Sequence, residues 1–205
     1  MNKKHLIFLS LLAFLPAHAE TTVDQLADKV MQAAGSANWS KVERVQFTFR
    51  VVIDGQEKVA AKHDWNVTAN TDVVSWSGKT VTVDLGNPGS SEDEKNAFQR
   101  WTNDAYWLIA PLKLKDNGTV LTQPAENQLE LSFKEVGLTP GDRYLYEIDP
   151  QTNLPRAWTY MPNPETKKLA TWEKYVTTGG LTLSTYHKMG NVELFIDDLK
   201  VTPRP

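Results

Sequence analysis

Val45-Gln-Phe-Thr-Phe-Arg-Val-Val-Ile-Asp-Gly55-Gln-Glu-Lys-Val-Ala-Ala-Lys-His-Asp-Trp65-Asn-Val67 is the stretch from which the fold can be read. Val45, Phe47, Phe49, Val51 and Ile53 alternate with other residues, the period of a strand with one buried face. Asp54-Gly55 is a dipeptide that closes tight hairpins. Val59, Ala61, His63, Trp65 and Val67 then alternate on the way back. Because strand side chains alternate between faces, Phe47, Phe49, His63 and Trp65 are expected on one inward surface. That surface is too apolar to face water and must be covered.

The rest of the chain supplies more strands and two covers. Two short strands follow, Val73 to Trp76 and Val81 to Leu85, joined at Gly78-Lys79. Beyond Thr119 the spacing predicts strands over Gln128–Val136, Arg143–Ile148, Arg156–Met161, Lys168–Val176, Leu181–Met189 and Asn191–Val201. Turn residues separate them, among them Pro140-Gly141, Asn163-Pro164 and Gly179-Gly180. Thr22-x-x-Gln25 is a capping box, and Val23, Leu26, Ala27, Val30, Met31 and Ala34 repeat at helical spacing up to Gly35. Ser91-x-x-Glu94 caps a second helix, whose acidic first turn suits the helix dipole. Phe98, Trp101, Ala105 and Leu108 share a face of it, and Pro111 stops it. The expected architecture is α+β: one strongly curved antiparallel sheet, a half-barrel, with two helices against its concave face. Tyr144, Tyr146, Trp158 and Tyr160 are expected to point inward from their strands, with Phe98 and Trp101 closing the interior from the second helix. A one-residue slip of register would reverse any one strand.

The first residues carry an address. Lys3 and Lys4 precede an apolar run from Leu6 to Leu15, and Ala17-His18-Ala19 has the small residues of a cleavage site. Residues 1–19 read as a signal peptide cut before Glu20, leaving a single domain over 20–205. Loss of two lysines leaves 20 basic residues against 25 acidic, a formal charge of −5 (20 − 25). That balance argues against nucleic-acid binding. Cysteine is absent, which excludes disulfides, thiol catalysis, thiolate metal sites and lipid attachment at the cut. A cysteine-free exported chain points to a periplasm. No second apolar run is long enough to span a bilayer, so no stable membrane insertion is expected.

Tyr144-Leu-Tyr-Glu-Ile-Asp149-Pro-Gln-Thr-Asn-Leu-Pro155-Arg-Ala-Trp158 is a strand, a D-x-x-T-x-x-P turn and a strand. This segment, and the order of helix, strands, inserted helix and further strands, resembles the LolA/LolB-like lipoprotein-localisation carriers of the bacterial periplasm. Trp107-Leu-Ile-Ala-Pro-Leu-Lys-Leu-Lys-Asp-Asn-Gly118 is similar to a segment of exported proteins sharing that fold. The resemblance implies a half-barrel whose apolar interior holds acyl chains. Carriers of the soluble branch place an arginine where it can bond the helical lid; Arg44 and Arg50 here fall on the polar parity of their strand, a departure from that pattern.

The chemistry-bearing residues are few. His63 and His187 both fall on the apolar parity of their strands. They can hold a ligand head group or a metal, or each can be a core histidine bonded to a neighbour. No third ligand stands at metal-site spacing, and neither a metal nor a cofactor is expected. Gly78-Lys79-Thr80 imitates the end of a phosphate loop but lacks its first glycine and following helix. Asp197-Asp198 suggests a bulge or a charged edge. Ser184, His187 and Asp142 have no spacing that supports a triad. Asn38, Asn66 and Asn117 begin glycosylation triplets. No catalytic residue is assigned. The expected function is a non-enzymatic periplasmic carrier of a lipid or other apolar small molecule, with Phe47, Phe49, His63, Trp65, Phe98, Trp101, Tyr144, Tyr146, Trp158, Tyr160 and His187 around the ligand. An envelope protein is a further candidate partner. The alternatives are a hydrolase-like enzyme using His63 or His187, and a structural module of the envelope with a filled interior.

Overall fold

A computed structural model describes residues 22–134 and 141–205. The signal segment, the end of the strand expected to reach Val136, and Pro140 lie outside the described residues. Helix α1 (Val23–Ala33) begins as its sequence requires: Thr22 Oγ1 accepts from the Gln25 amide, and the Gln25 side chain accepts from the Thr22 amide. Gly35 then turns the chain sharply at φ +90°, where a Cβ would sit 2.3 Å from the Gly180 carbonyl oxygen. One turn of helix follows, α2 (Ser36–Trp39). This third helix was not expected, because a single turn is too short to display a period.

Strands β1 (Val42–Ile53), β2 (Gln56–Asn66), β3 (Thr71–Trp76) and β4 (Lys79–Asp84) form successive hairpins. Asp54 and Gly55, and then Ser77 and Gly78, take positive φ, as two-residue hairpin loops demand; the turn expected at Gly78-Lys79 is thus Ser77-Gly78, with Lys79 opening β4 opposite Trp76, and no phosphate loop forms. Helix α3 (Glu92–Ile109) has its own capping box at Ser91 and Glu94 and runs into a 3₁₀ turn at Ala110–Leu112, where Pro111 ends it. Strands β5 (Thr119–Thr122), β6 (Gln128–Phe133), β7 (Arg143–Ile148), β8 (Pro155–Met161), β9 (Lys168–Thr171), β10 (Glu173–Thr178), β11 (Leu181–Met189) and β12 (Val192–Pro203) complete the described chain.

The α+β class holds, with antiparallel pairing throughout, but the single expected sheet is two. One has the order β10-β11-β12-β1-β2-β3-β4, the other β5-β6-β7-β8-β9. The strand expected over Lys168–Val176 breaks at Trp172. Before the break it pairs with β8; after it, with β11. Trp172 is buried and its amide donates to the Arg156 carbonyl at 2.9 Å. Across the seam the Lys188 amide donates to Thr171 Oγ1, and just beyond it, within the larger sheet, Ser184 Oγ donates to the Glu173 carbonyl. The chain therefore passes from one sheet to the other within a single residue.

Both main helices pack on the inward faces. Leu26, Ala27 and Val30 of α1 meet Leu129, Leu131, Tyr146 and Trp158. Ala105, Leu108 and Ile109 of α3 meet Phe47, Phe49, Trp65, Leu183 and Ile196. Asp197 and Asp198 sit at a bulge: Gln46 pairs with Lys200 and Thr48 with Asp197, so two residues of β12 face one of β1. Asp198 takes φ +56° there, and Asp197 pairs with Arg50 on the outer face.

Candidate functional site

His63 is fully buried on β2 and lies between two carboxylates. Its Nδ1 is 2.6 Å from Asp72 Oδ2 on β3, and its Nε2 is 3.1 Å from Asp104 Oδ2 on α3. Asp72 and Asp104 are buried as well. Both ring nitrogens can donate only when the imidazole is protonated, so the site is built for an imidazolium. Burial opposes that charge, but the two carboxylates outweigh it and raise the His63 pKa above its ordinary value. Phe47 stacks on the ring at 4.5 Å. The carboxylates occupy both nitrogens rather than converging with them on a shared point. Among the described residues no three His, Cys, Asp or Glu side chains are placed to hold a metal ion.

His187 is buried in a different setting. Its Nδ1–H donates to the Thr171 carbonyl at 3.0 Å, and Trp107 and Trp172 pack against the ring. Burial lowers its pKa to about 4, so it is neutral. It shares no hydrogen bond with Ser184, whose hydroxyl serves backbone carbonyls, or with Asp142, which accepts from the Tyr160 hydroxyl. The three do not form a triad.

The remaining expected site residues fall into two groups. Tyr144, Tyr146, Trp158 and Tyr160 lie on the inward faces of β7 and β8, and parity pairs Tyr144 with Tyr160 and Tyr146 with Trp158 across the ladder. Their rings pack on one another and on Tyr106 and Trp107 of α3, with centroids 4.6–5.8 Å apart. Desolvation drives the Tyr106, Tyr144 and Tyr146 hydroxyl pKa values up; that of Tyr160, at the rim, rises to about 12. Phe47 and Phe49 are buried under α3. Trp65 and Trp101 form the second group. Their rings meet edge to face at 5.3 Å, and Trp39 lies 5.5 Å beyond Trp65. These three tryptophans, with Val67, Ala105 and Ile109, line a cleft of about 300 Å³ between α2, β2 and α3; Asn70, Thr102 and Lys113 supply its polar rim. Phe98 stands just outside, against Trp101 and the β3–β4 hairpin.

Asp72 and Asp104 were missed by the sequence reading. A signal was present: Asp72 shares the inward parity of Val74 and Trp76, and Asp104 lies one turn from Trp101 and Leu108 on the covered face of α3. Trp39 and Lys113 carried no comparable signal, since one ends a single turn of helix and the other follows a 3₁₀ turn.

No protein-family model matches the chain, and no curated protein matches it. Solved structures do. A LolA superfamily protein from Nitrosomonas europaea is similar over 87% of this chain and 94% of its own, with a TM-score of 0.51 at 11% identity. A DUF1329 family protein from Desulfovibrio piger is similar over 89% of this chain and 94% of its own, at a TM-score of 0.48 and 9% identity. MucB covers 89% of this chain with 60% of its own, at a TM-score of 0.28 and 12% identity. The chain has a LolA-like fold.

Proposed function

We propose that this protein is an exported, non-enzymatic carrier of a lipid or another apolar molecule, held between the helices and the inward faces of sheets that curve together as a half-barrel. One observation carries the reading: on a LolA-like fold, three tryptophans line an open cleft between α3 and β2. Its volume, about 300 Å³, lies at the lower end of the range of small-molecule sites. Lys113, ion-paired with Asp116, brings a cation to its rim beside the Asn70 amide, while the Thr102 hydroxyl donates to the Phe98 carbonyl. An acyl chain whose polar end meets Lys113 and Asn70 fits that lining. Among the described residues no helix is long and apolar enough to cross a membrane. Export rests on residues 1–19, and a periplasmic setting on the absence of cysteine.

Extraction of the purified protein with organic solvent, followed by mass spectrometry, tests the reading. A co-purifying lipid supports it. Titration with a fluorescent fatty acid gives a second measure: Trp65→Ala should weaken probe binding with a small loss of stability. A large stability loss in a protein that never bound the probe would assign Trp65 to ordinary core. Export is tested separately. N-terminal sequencing of exported protein should begin at Glu20, and an intact Met1 in a cytosolic fraction would overturn it.

A structural module of the envelope is the second reading, and the ring-to-ring packing of Tyr144, Tyr146 and Trp158 favours it. Extraction that yields no lipid, together with no probe binding, would select it. Catalysis has less support. His63 has both nitrogens engaged and is buried, and the free nitrogen of His187 is buried too; a general base must reach the proton it abstracts.

A further inference from the structure

The buried ion cluster and the tryptophan cleft are built on the same two elements. Along β2, His63 is followed on the same face by Trp65, a wall of the cleft. Along α3, Asp104 is followed directly by Ala105 and preceded one turn earlier by Trp101, both in the cleft lining. The bond from His63 to Asp104 is thus a polar tie across the seam that the cleft occupies. We infer that the proton on His63 controls this cleft: the imidazolium clamps α3 to β2 and β3, and its loss releases α3 and admits ligand. The clamp is a property of the fold, whereas its control of ligand rests on the carrier reading.

The geometry determines which contact yields. Asp72 sits in a strand laddered to β2, with Trp65 opposite Asp72 and His63 opposite Val74. Its backbone cannot move away without breaking the ladder. Asp104 sits on a helix held by side chains. Its contact with His63 is also the longer, 3.1 Å against 2.6 Å. The charged groups that face the imidazole are Asp72 from β3 and Asp104 from α3; β1 contributes only the Phe47 ring. Asn103 donates to the other oxygen of Asp104 at 2.8 Å, and Asp72 Oδ1 has no partner. With the proton present the buried cluster carries one net negative charge. Without it the charge is two, and a ring lone pair faces a carboxylate oxygen. That arrangement is unfavourable at low dielectric, and separation of α3 relieves it. Because the carboxylates raise the His63 pKa, the clamp is closed on the acidic side and opens as pH rises.

The test uses the exported protein, in which His63 and His187 are the only histidines if cleavage follows Ala19. NMR of labelled imidazoles locates the His63 titration, and amide protection factors are followed through it. The expected result is a fall in α3 protection of roughly tenfold or more as His63 loses its proton, with β2 and β3 unchanged. The association rate of a fluorescent fatty acid should rise over the same pH interval. In Asp104→Asn both responses should flatten. The wild-type titration needs no variant to fold. Unchanged α3 protection would overturn the clamp whether or not ligand binds. Probe binding at a rate independent of pH would overturn the control of ligand and leave the carrier reading standing. A pH-dependent α3 with no probe binding at any pH would overturn the carrier reading and the ligand link together.

Discussion

At the scale of single residues, the two histidines of the described chain have opposite environments and opposite consequences. His63 is held by carboxylates and its pKa is raised, so it contributes stability in full below its unfolded value of 6.5 and loses it as pH climbs through the folded pKa. His187 is neutral, with a pKa of about 4. Its unfolded form takes up a proton below 6.5 and its folded form does not, so its contribution falls as pH drops from 6.5 towards 4. Asp104→Ala should therefore cost about 1.5–3 kcal/mol at pH 6, where it removes one of the two charged acceptors of the imidazolium and leaves the pair with Asp72, and clearly less at pH 9. Urea midpoints of the two proteins at both pH values measure the difference. His187→Leu should flatten the acid limb of the wild-type stability curve between pH 6.5 and 4; a limb as steep as before would deny His187 its part. Period-2 parity was enough to place both histidines inside. It was not enough to distinguish them, because their partners arrive from elsewhere: Asp104 from a helix 41 residues on, and the Thr171 carbonyl from a strand 16 residues back.

At the scale of elements, local chemistry accounts for what was legible. The bounds of β7 and β11 match the alternation of their residues, and both long helices start at their capping boxes. Ser91→Ala removes the hydroxyl that accepts from the Glu94 amide and should cost about 1 kcal/mol, read as a lower melting temperature; no change would mean that α3 is held by packing alone. Gly35→Ala should cost more, because a methyl group would collide with backbone at φ +90°. Its effect should show as a lower urea midpoint. The failures are also local in origin. Residues 168–176 alternate without an obvious stop, and nothing in that run says that its hydrogen-bonding partner changes from β8 to β11 at Trp172. The change of partner is a tertiary event, and so is the division into two sheets.

At the scale of the whole molecule, period and capping define surfaces but not the space between them. Parity correctly turned Tyr144, Tyr146 and Trp158 inward, yet whether inward rings enclose a void or fill one depends on how closely the covers approach. Here the rings of β7 and β8 close on those of α3, and the open volume lies instead beside Trp65 and Trp101. Trp158→Ala should cost about 3–5 kcal/mol, as expected for a large ring lost from a packed core; calorimetry measures it, and a loss below 1 kcal/mol would reveal a slack interior. The ladder between β1 and β12 has a different consequence. Strand β1 lies between β2 and β12, and its pairing with β12 runs from Val42 opposite Pro203 to Ile53 opposite Val192. A growing polypeptide can form the β1–β2 hairpin early, but half of the central ladder must wait until Val192–Pro203 has been made. The fold thus cannot close before β12 exists. A nascent chain stalled before Val192 should remain protease-sensitive, and one extended past Pro203 should become resistant in a single step, so that products lacking β12 are left open to degradation while those that carry it close.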